Sequence, residues 1–153
     1  MSNKYPVDGS ILSDHEEKPR WIIIRFIGRG ASSRIYEAYD QLLKQSVAIK
    51  VGIKTIEGEH WSKIKSILES EYTILTQIKH QSSIPQPIYL YASRTSAPFI
   101  VMELLSLSIS ELRKRQVSHR FSQRCAIEIS LYMLIAIRQF HECGYVHRDI
   151  KPV

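Results

Sequence analysis

Apolar and polar positions along this chain follow two different periods, and the switches between them divide it into elements. Residues 21–27, Trp-Ile-Ile-Ile-Arg-Phe-Ile, form a run rich in strand formers, which Gly28 and Gly30 interrupt. A second strand-like piece covers 34–39, and the polar stretch 40–45 turns the chain into a third at 46–53. These read as three antiparallel strands joined by short turns. Between 60 and 79 the period changes, because Ile64, Ile67, Leu68, Ile74, Leu75 and Ile78 recur every three or four positions, as on one face of a helix. Pro85 and Pro87 then punctuate an extended segment, and two further strands are expected at 88–93 and 99–104. A short helix is expected over 108–115 and a long one over 122–143, with Ile127, Leu131, Leu134, Ile135 and Phe140 among its apolar positions. Gly144 stands where a helix C-terminal glycine belongs. The order predicts an α+β fold: a five-stranded antiparallel sheet with one helix, then a helical part. Residues 1–20 carry Pro, Gly, Ser, Asp and Lys without periodicity and are expected to form a mobile tail.

Composition changes this picture little. The 153 residues suit one domain, with 44% hydrophobic and 24% charged residues. The net charge of +6 favours acidic or phosphate-bearing partners, or is simply a basic surface. Lys and Arg are scattered, and the tightest run, Arg113-Lys114-Arg115, is too short for a nucleic-acid arm; no basic stripe interleaves with aromatics, so a nucleic-acid partner is not expected. Cys125 and Cys143 make no C-x-x-C pair and read as reduced thiols of an intracellular protein, cytoplasmic or nuclear. No apolar run approaches the about 18 residues of a membrane span, so no membrane partner is expected either.

Four features bear on chemistry. Gly28-Arg29-Gly30-Ala31-Ser32-Ser33-Arg34-Ile35 places glycines at a strand–turn–strand junction, where backbone N–H groups can approach phosphate oxygens; the same pattern also makes an ordinary hairpin. It is not a Walker loop, and a Rossmann fingerprint fits poorly because a strand follows it. In Val47-Ala48-Ile49-Lys50-Val51 the side chains alternate, so Val47, Ile49 and Val51 face one way and Ala48 and Lys50 the other. A lysine inside such a strand either needs an anion or lies at a wet edge. Glu71 falls within the apolar stripe of the first helix, where a carboxylate calls for a cation, whereas Glu69 falls nearly opposite. A Lys50–Glu71 pair would bring side-chain atoms within about 4 Å. Finally, Tyr145-Val146-His147-Arg148-Asp149-Ile150-Lys151-Pro152 follows the long helix. There Asp149 could accept a hydroxyl proton and Lys151 could neutralise phosphate charge.

In this order and context the four pieces resemble a protein kinase. Val47-Ala48-Ile49-Lys50 is similar to the third-strand V-A-I-K and His147-Arg148-Asp149 with Lys151-Pro152 to the catalytic loop, and the resemblance runs from Trp21 to Pro152. Val101-Met102-Glu103-Leu104-Leu105 resembles the hinge of casein kinase I and tau-tubulin kinases, and Ile35-Tyr36 and Ile84-Pro85 point the same way. The resemblance implies a kinase N-lobe and hinge over 21–105 and the start of a helical C-lobe over 106–153. It implies serine/threonine kinase activity using ATP, on protein substrates that include acidic or phosphorylated ones. Ile27, Ile35 and Ala48 would line the adenine pocket, with Met102 as gatekeeper and backbone contacts from Glu103 and Leu105. Lys50 would hold the α- and β-phosphates and pair with Glu71. Asp149 would orient the attacking hydroxyl, and Lys151 would contact the transferred group.

The chain also departs from the family. Ser33 replaces the third glycine, and Ser32 takes the loop tip where an aromatic is usual; a serine is less permissive at positive φ. After Pro152 the family continues to a metal-binding Asn and a D-F-G aspartate, but here Val153 closes the sequence. Mg²⁺ belongs to the family's chemistry, yet no metal ligand is assigned in these residues, and phosphoryl transfer by this chain alone is expected to be negligible. The alternative is a non-catalytic ATP-binding or pseudokinase-like interaction module. The long helix is apolar on more than one face and is expected to expose an apolar patch open to association.

Overall fold

A computed structural model of the chain describes residues 5–54, 60–78, 84–93, 95–148 and 150. Nine elements follow in order: β1 (Ile11–Ser13), β2 (Pro19–Arg29), β3 (Ser33–Asp40), β4 (Gln45–Gly52), α1 (Trp61–Gln77), β5 (Pro87–Tyr91), β6 (Phe99–Glu103), α2 (Ile109–Lys114) and α3 (Gln123–Glu142). They fall into two compact units, one holding the sheet and α1 and the other, from Leu105 onward, holding α2 and α3.

The sheet is wholly antiparallel, in the order β1-β2-β3-β4-β6-β5. Its faces divide as the alternation in 47–51 requires. Trp21, Ile23, Tyr36, Ala38, Val47, Ile49, Val51, Phe99 and Val101 form one buried cluster. Ile35, Ala48, Lys50, Ile100 and Met102 occupy the intervening positions of the paired strands and therefore share the other face. On that face α1 sets down Ile64 and Leu68, each 1% exposed.

Two sequence expectations are corrected here. The sheet has six strands, not five, and residues 11–20 are not a tail. Ile11 and Leu12 pair with Ile22 and Trp21. The amides of Gly9 and Ile23 donate to Ile23 O and Ser10 O at 2.8 and 2.9 Å. A three-residue strand is too short to show a period, so its position came only from pairing with β2. Gly28 also lies inside β2 and does not end it; the register shifts between Phe26 and Gly28, the bulge that a glycine within a strand often marks. β5 begins on Pro87, which costs no ladder bond at the first position of an edge strand.

The sheet curls so far that its edges are bridged. His15, just past β1, donates its amide to Tyr89 Oη at 2.8 Å, and its ring nitrogen Nε2 lies 3.0 Å from Leu90 O on β5. Its imidazole stacks on Tyr91, with ring centroids 5.0 Å apart.

In the second unit each helix begins on a serine. The Ser108 hydroxyl accepts from Glu111 N–H while Glu111 Oε2 accepts from Ser108 N–H, a reciprocal cap for α2. The Ser122 hydroxyl accepts from Cys125 N–H at the start of α3. Gly144 ends the run at φ +84, where a side chain would be strained, and donates to His141 O. No residue of α3 is buried, and Ile127, Leu131 and Leu134 are 61, 55 and 64% exposed, so the expected apolar surface is present in the described chain. Among the described residues no helix is long and apolar enough to cross a membrane.

The charged exception among the buried described residues is Asp40, fully buried at the end of β3. Arg20 donates to it through Nε and a terminal nitrogen, Trp21 through Nε1 at 2.8 Å, and Leu42 and Leu43 through their amides. Burial pushes the carboxyl up, but Arg20, the Leu43 amide, Trp21 and the Leu42 amide together outweigh it and hold the group below its ordinary value of 3.8. A lowered folded value means stability that is complete above the unfolded value and lost as pH falls through the folded one. Thermal melting should therefore show an acid-sensitive loss of stability below about pH 4 that Asp40→Asn removes. The same substitution should cost about 3 kcal/mol at neutral pH by leaving Arg20 uncompensated.

Candidate functional site: a lysine–glutamate pair under a glycine hairpin

The site face of the sheet begins at the β2–β3 hairpin. Gly30 N–H donates to Ser33 O at 2.9 Å and closes the turn, while Ile53 N–H donates to Ser32 O at 2.9 Å and ties its tip to the end of β4. Neither glycine of the turn, nor Ser33, takes a positive φ, so the conformational objection to serine at this position does not arise. A Cβ at Gly28 would meet nothing within 4 Å, so the surface beside it is open.

Two residues along β4 from Gly52 stands Lys50. Its Nζ donates to both carboxylate oxygens of Glu71, at 2.6 Å each. The two side chains are 23 and 34% exposed, which is buried enough to fix their direction and open enough for an anion to reach the ammonium. The expectation of contact within 4 Å is met. Glu71 reaches Lys50 because α1 lies very close to the sheet. A Cβ on Gly52 would run into Ile64 Cγ2 and sit 3.3 Å from both Leu68 Cδ1 and Pro98 O. Gly52 is thus a positioning residue that motif spacing did not single out, although a glycine inside an apolar strand is itself a sign of close backbone approach.

The remaining candidates separate by face. Ile35 pairs with Lys50 and with Gly28, and Ala48 pairs with Met102, so these side chains line one surface. Ala48 is 6% exposed and adds no bulk there. Ile27 lies in the bulge and is 38% exposed, and Arg29 and Ala31 project into solvent. Arg34 is not brought to this surface. It pairs with Val51 on the core face, and its guanidinium lies over the Tyr5 ring, 4.2 Å from the centroid. Glu103 N–H donates to Gln86 O at 2.9 Å, and its carboxylate accepts from the Gln86 amide. Leu105 opens the second unit and is 59% exposed. In that unit the His147 and Tyr145 rings both pack edge-on to Phe140, at 5.6 and 6.1 Å. Arg148 has φ +60, a strained value for a long side chain. Asp149 and Lys151 lie outside the described residues. Among the described residues no group of three or more His, Cys, Asp or Glu could hold a metal ion.

The protein kinase domain family matches residues 21–153. The chain belongs to that family. In protein kinases a lysine on a strand of the sheet pairs with a glutamate on the following helix, and Lys50 on β4 and Glu71 on α1 form a pair of that kind. Similar sequences include a Dictyostelium discoideum protein named as a serine/threonine-protein kinase, 29% identical over 88% of this chain and 26% of its own length. A Caenorhabditis elegans protein named as a casein kinase I is 32% identical over 87% of this chain and 38% of its length. A mitogen-activated protein kinase of Aspergillus terreus is 30% identical over 87% and 34%. This kinase-family chain therefore spans a quarter to two-fifths of those relatives. The solved structure of vaccinia related kinase 3 superposes with a TM-score of 0.68 over 99% of this chain and 47% of that one, at 19% identity, and shows the shared fold.

Because α1 rests on a bare backbone, Gly52→Val should lift the helix and separate Glu71 from Lys50. It should cost about 2–3 kcal/mol by overpacking, with Gly52→Ala costing less. Thermal melting orders the three proteins; equal stability would contradict the close packing.

Proposed function

We propose that these residues are the nucleotide-holding part of a serine/threonine protein kinase of casein kinase I type, which transfers the terminal phosphoryl group of ATP to protein hydroxyls. The observation that carries the reading is the Lys50 ammonium gripped at 2.6 Å by both oxygens of Glu71 on the sheet face that it shares with Ile35, Ala48, Ile100 and Met102. An ammonium so held is aimed before any ligand arrives, and positioning with charge stabilisation makes up most of the catalysis in this family. The residues present fit ATP. Small Ala48 and the surface beside Gly28 leave room, Ile27, Ile35 and Met102 offer apolar contact to a base, and Lys50 supplies charge to the α- and β-phosphates. ATP, once bound, supplies the phosphoryl group. Asp149 and Lys151 are assigned the substrate hydroxyl and the transferred group on the strength of the His147-Arg148-Asp149 motif.

The casein kinase I assignment rests on Val101-Met102-Glu103-Leu104-Leu105 and on the similarity to the Caenorhabditis elegans protein. With it go acidic or phosphorylated protein substrates, which suit a net charge of +6, and an intracellular location in cytoplasm or nucleus. The apolar side of α3 is the surface assigned to association.

A second reading is that these residues hold ATP as a non-catalytic interaction module without phosphoryl transfer. Incubation with labelled ATP, Mg²⁺ and casein distinguishes the two. Both readings expect thermal stabilisation by ATP of about 1.4 kcal/mol at ten times Kd, lost in Lys50→Ala, and label on casein separates them. Robust transfer that vanishes in Lys50→Ala would show that these residues suffice for catalysis. Absence of any ATP effect would contradict the nucleotide reading.

A further inference from the structure

Ser33 stands where the family's loop has its third glycine, and its side chain is so far without a task. It opens β3 and pairs with Gly52, two positions from the Ile35–Lys50 pair, so its side chain shares the face of Lys50. The residue is 2% exposed. Its hydroxyl lies against Gly30, close enough that a Cβ on that glycine would sit 2.9 Å from Ser33 Oγ. The backbone of Ser33 is committed, since its carbonyl accepts from Gly30 N–H at 2.9 Å. The hydroxyl has no partner among the described residues. A hydroxyl is both donor and acceptor, so this one keeps a donor to offer a ligand, which a glycine at the same position would lack.

We propose that the Ser33 hydroxyl is a phosphate-recognition group, donating a hydrogen bond to a β- or γ-phosphate oxygen of the bound nucleotide on the sheet face where Lys50 waits. This rests on the nucleotide reading above. The hydroxyl adds to the loop amides a donor that a glycine at this position cannot provide. Gly30 is the neighbour that makes room for it, because a side chain there would occupy the space of Ser33 Oγ. The group recognises phosphate and makes no contact with the base, so its effect should depend on the length of the phosphate chain.

The test is calorimetric titration of the 153-residue chain, Ser33→Ala, Ser33→Gly and Lys50→Met with ATP and with adenosine. Thermal melting without ligand reads the folding of each variant separately. Both serine variants should bind ATP about three- to tenfold more weakly than the parent and adenosine equally well, the loss expected for one hydrogen bond. Agreement between alanine and glycine assigns the effect to the hydroxyl, because only one of them keeps the Cβ. Unchanged ATP affinity in Ser33→Ala and Ser33→Gly, with affinity lost in Lys50→Met, would overturn the role of Ser33 and leave the nucleotide reading standing. Tighter ATP binding by Ser33→Gly would also overturn it, because the serine would then obstruct the phosphates. No ATP binding by the folded parent, or ATP binding indifferent to Lys50→Met, would overturn both.

Discussion

A lysine and a glutamate 21 positions apart meet across the gap between β4 and α1 with both carboxylate oxygens 2.6 Å from the ammonium. The rest of the first unit can be understood as what makes that meeting hold. A pair this exposed contributes about 1 kcal/mol to stability, small beside the burial of nine core side chains. Its value is directional. Glu71 fixes where the Lys50 charge points and prevents the ammonium from turning out to water, so an incoming anion meets a cation already in place.

Three structural constraints deliver this geometry. β4 is two-faced, with Val47, Ile49 and Val51 buried on one side, which forces Ala48 and Lys50 onto the other. Gly52 gives α1 a backbone surface to rest on, and Ile64 and Leu68 fill the contact. At the far end of the sheet Asp40 collects donors from Arg20, Trp21, Leu42 and Leu43, while His15 bridges to β5 and holds the curl closed. These last contacts tie β1, β2, β3 and β5 of the sheet that carries β4.

Much of this was legible in residue pattern alone. The period-two run at 46–53 and the helical stripe at 60–79 put Lys50 and Glu71 on facing surfaces, and the structure joins them. The helix ends at Gly144 and the serine starts at 108 and 122 are local chemistry, and they appear close to where the spacing put them. The misses share a physical cause: they depend on partners distant in sequence. β1 exists because β2 offers an edge, and Ile11–Ser13 carries too few residues to announce a strand. Asp40 reads as an ordinary turn residue until Arg20 and Trp21 close over it. Arg34, grouped with the phosphate loop by adjacency, turns to the opposite face because a strand alternates. Ser33 read as a departure from a glycine pattern, and only the register with Gly52 shows that its hydroxyl shares the lysine's side.

The central claim is that Glu71 acts through Lys50. A double-mutant cycle on ATP affinity, using Lys50→Met, Glu71→Gln and the two together, measures that dependence. The account predicts that each single change weakens binding and that the double variant binds no more weakly than Lys50→Met alone, because a glutamate with no lysine to aim has no further effect. Losses that simply add would contradict it and would show that Glu71 and Lys50 contribute independently.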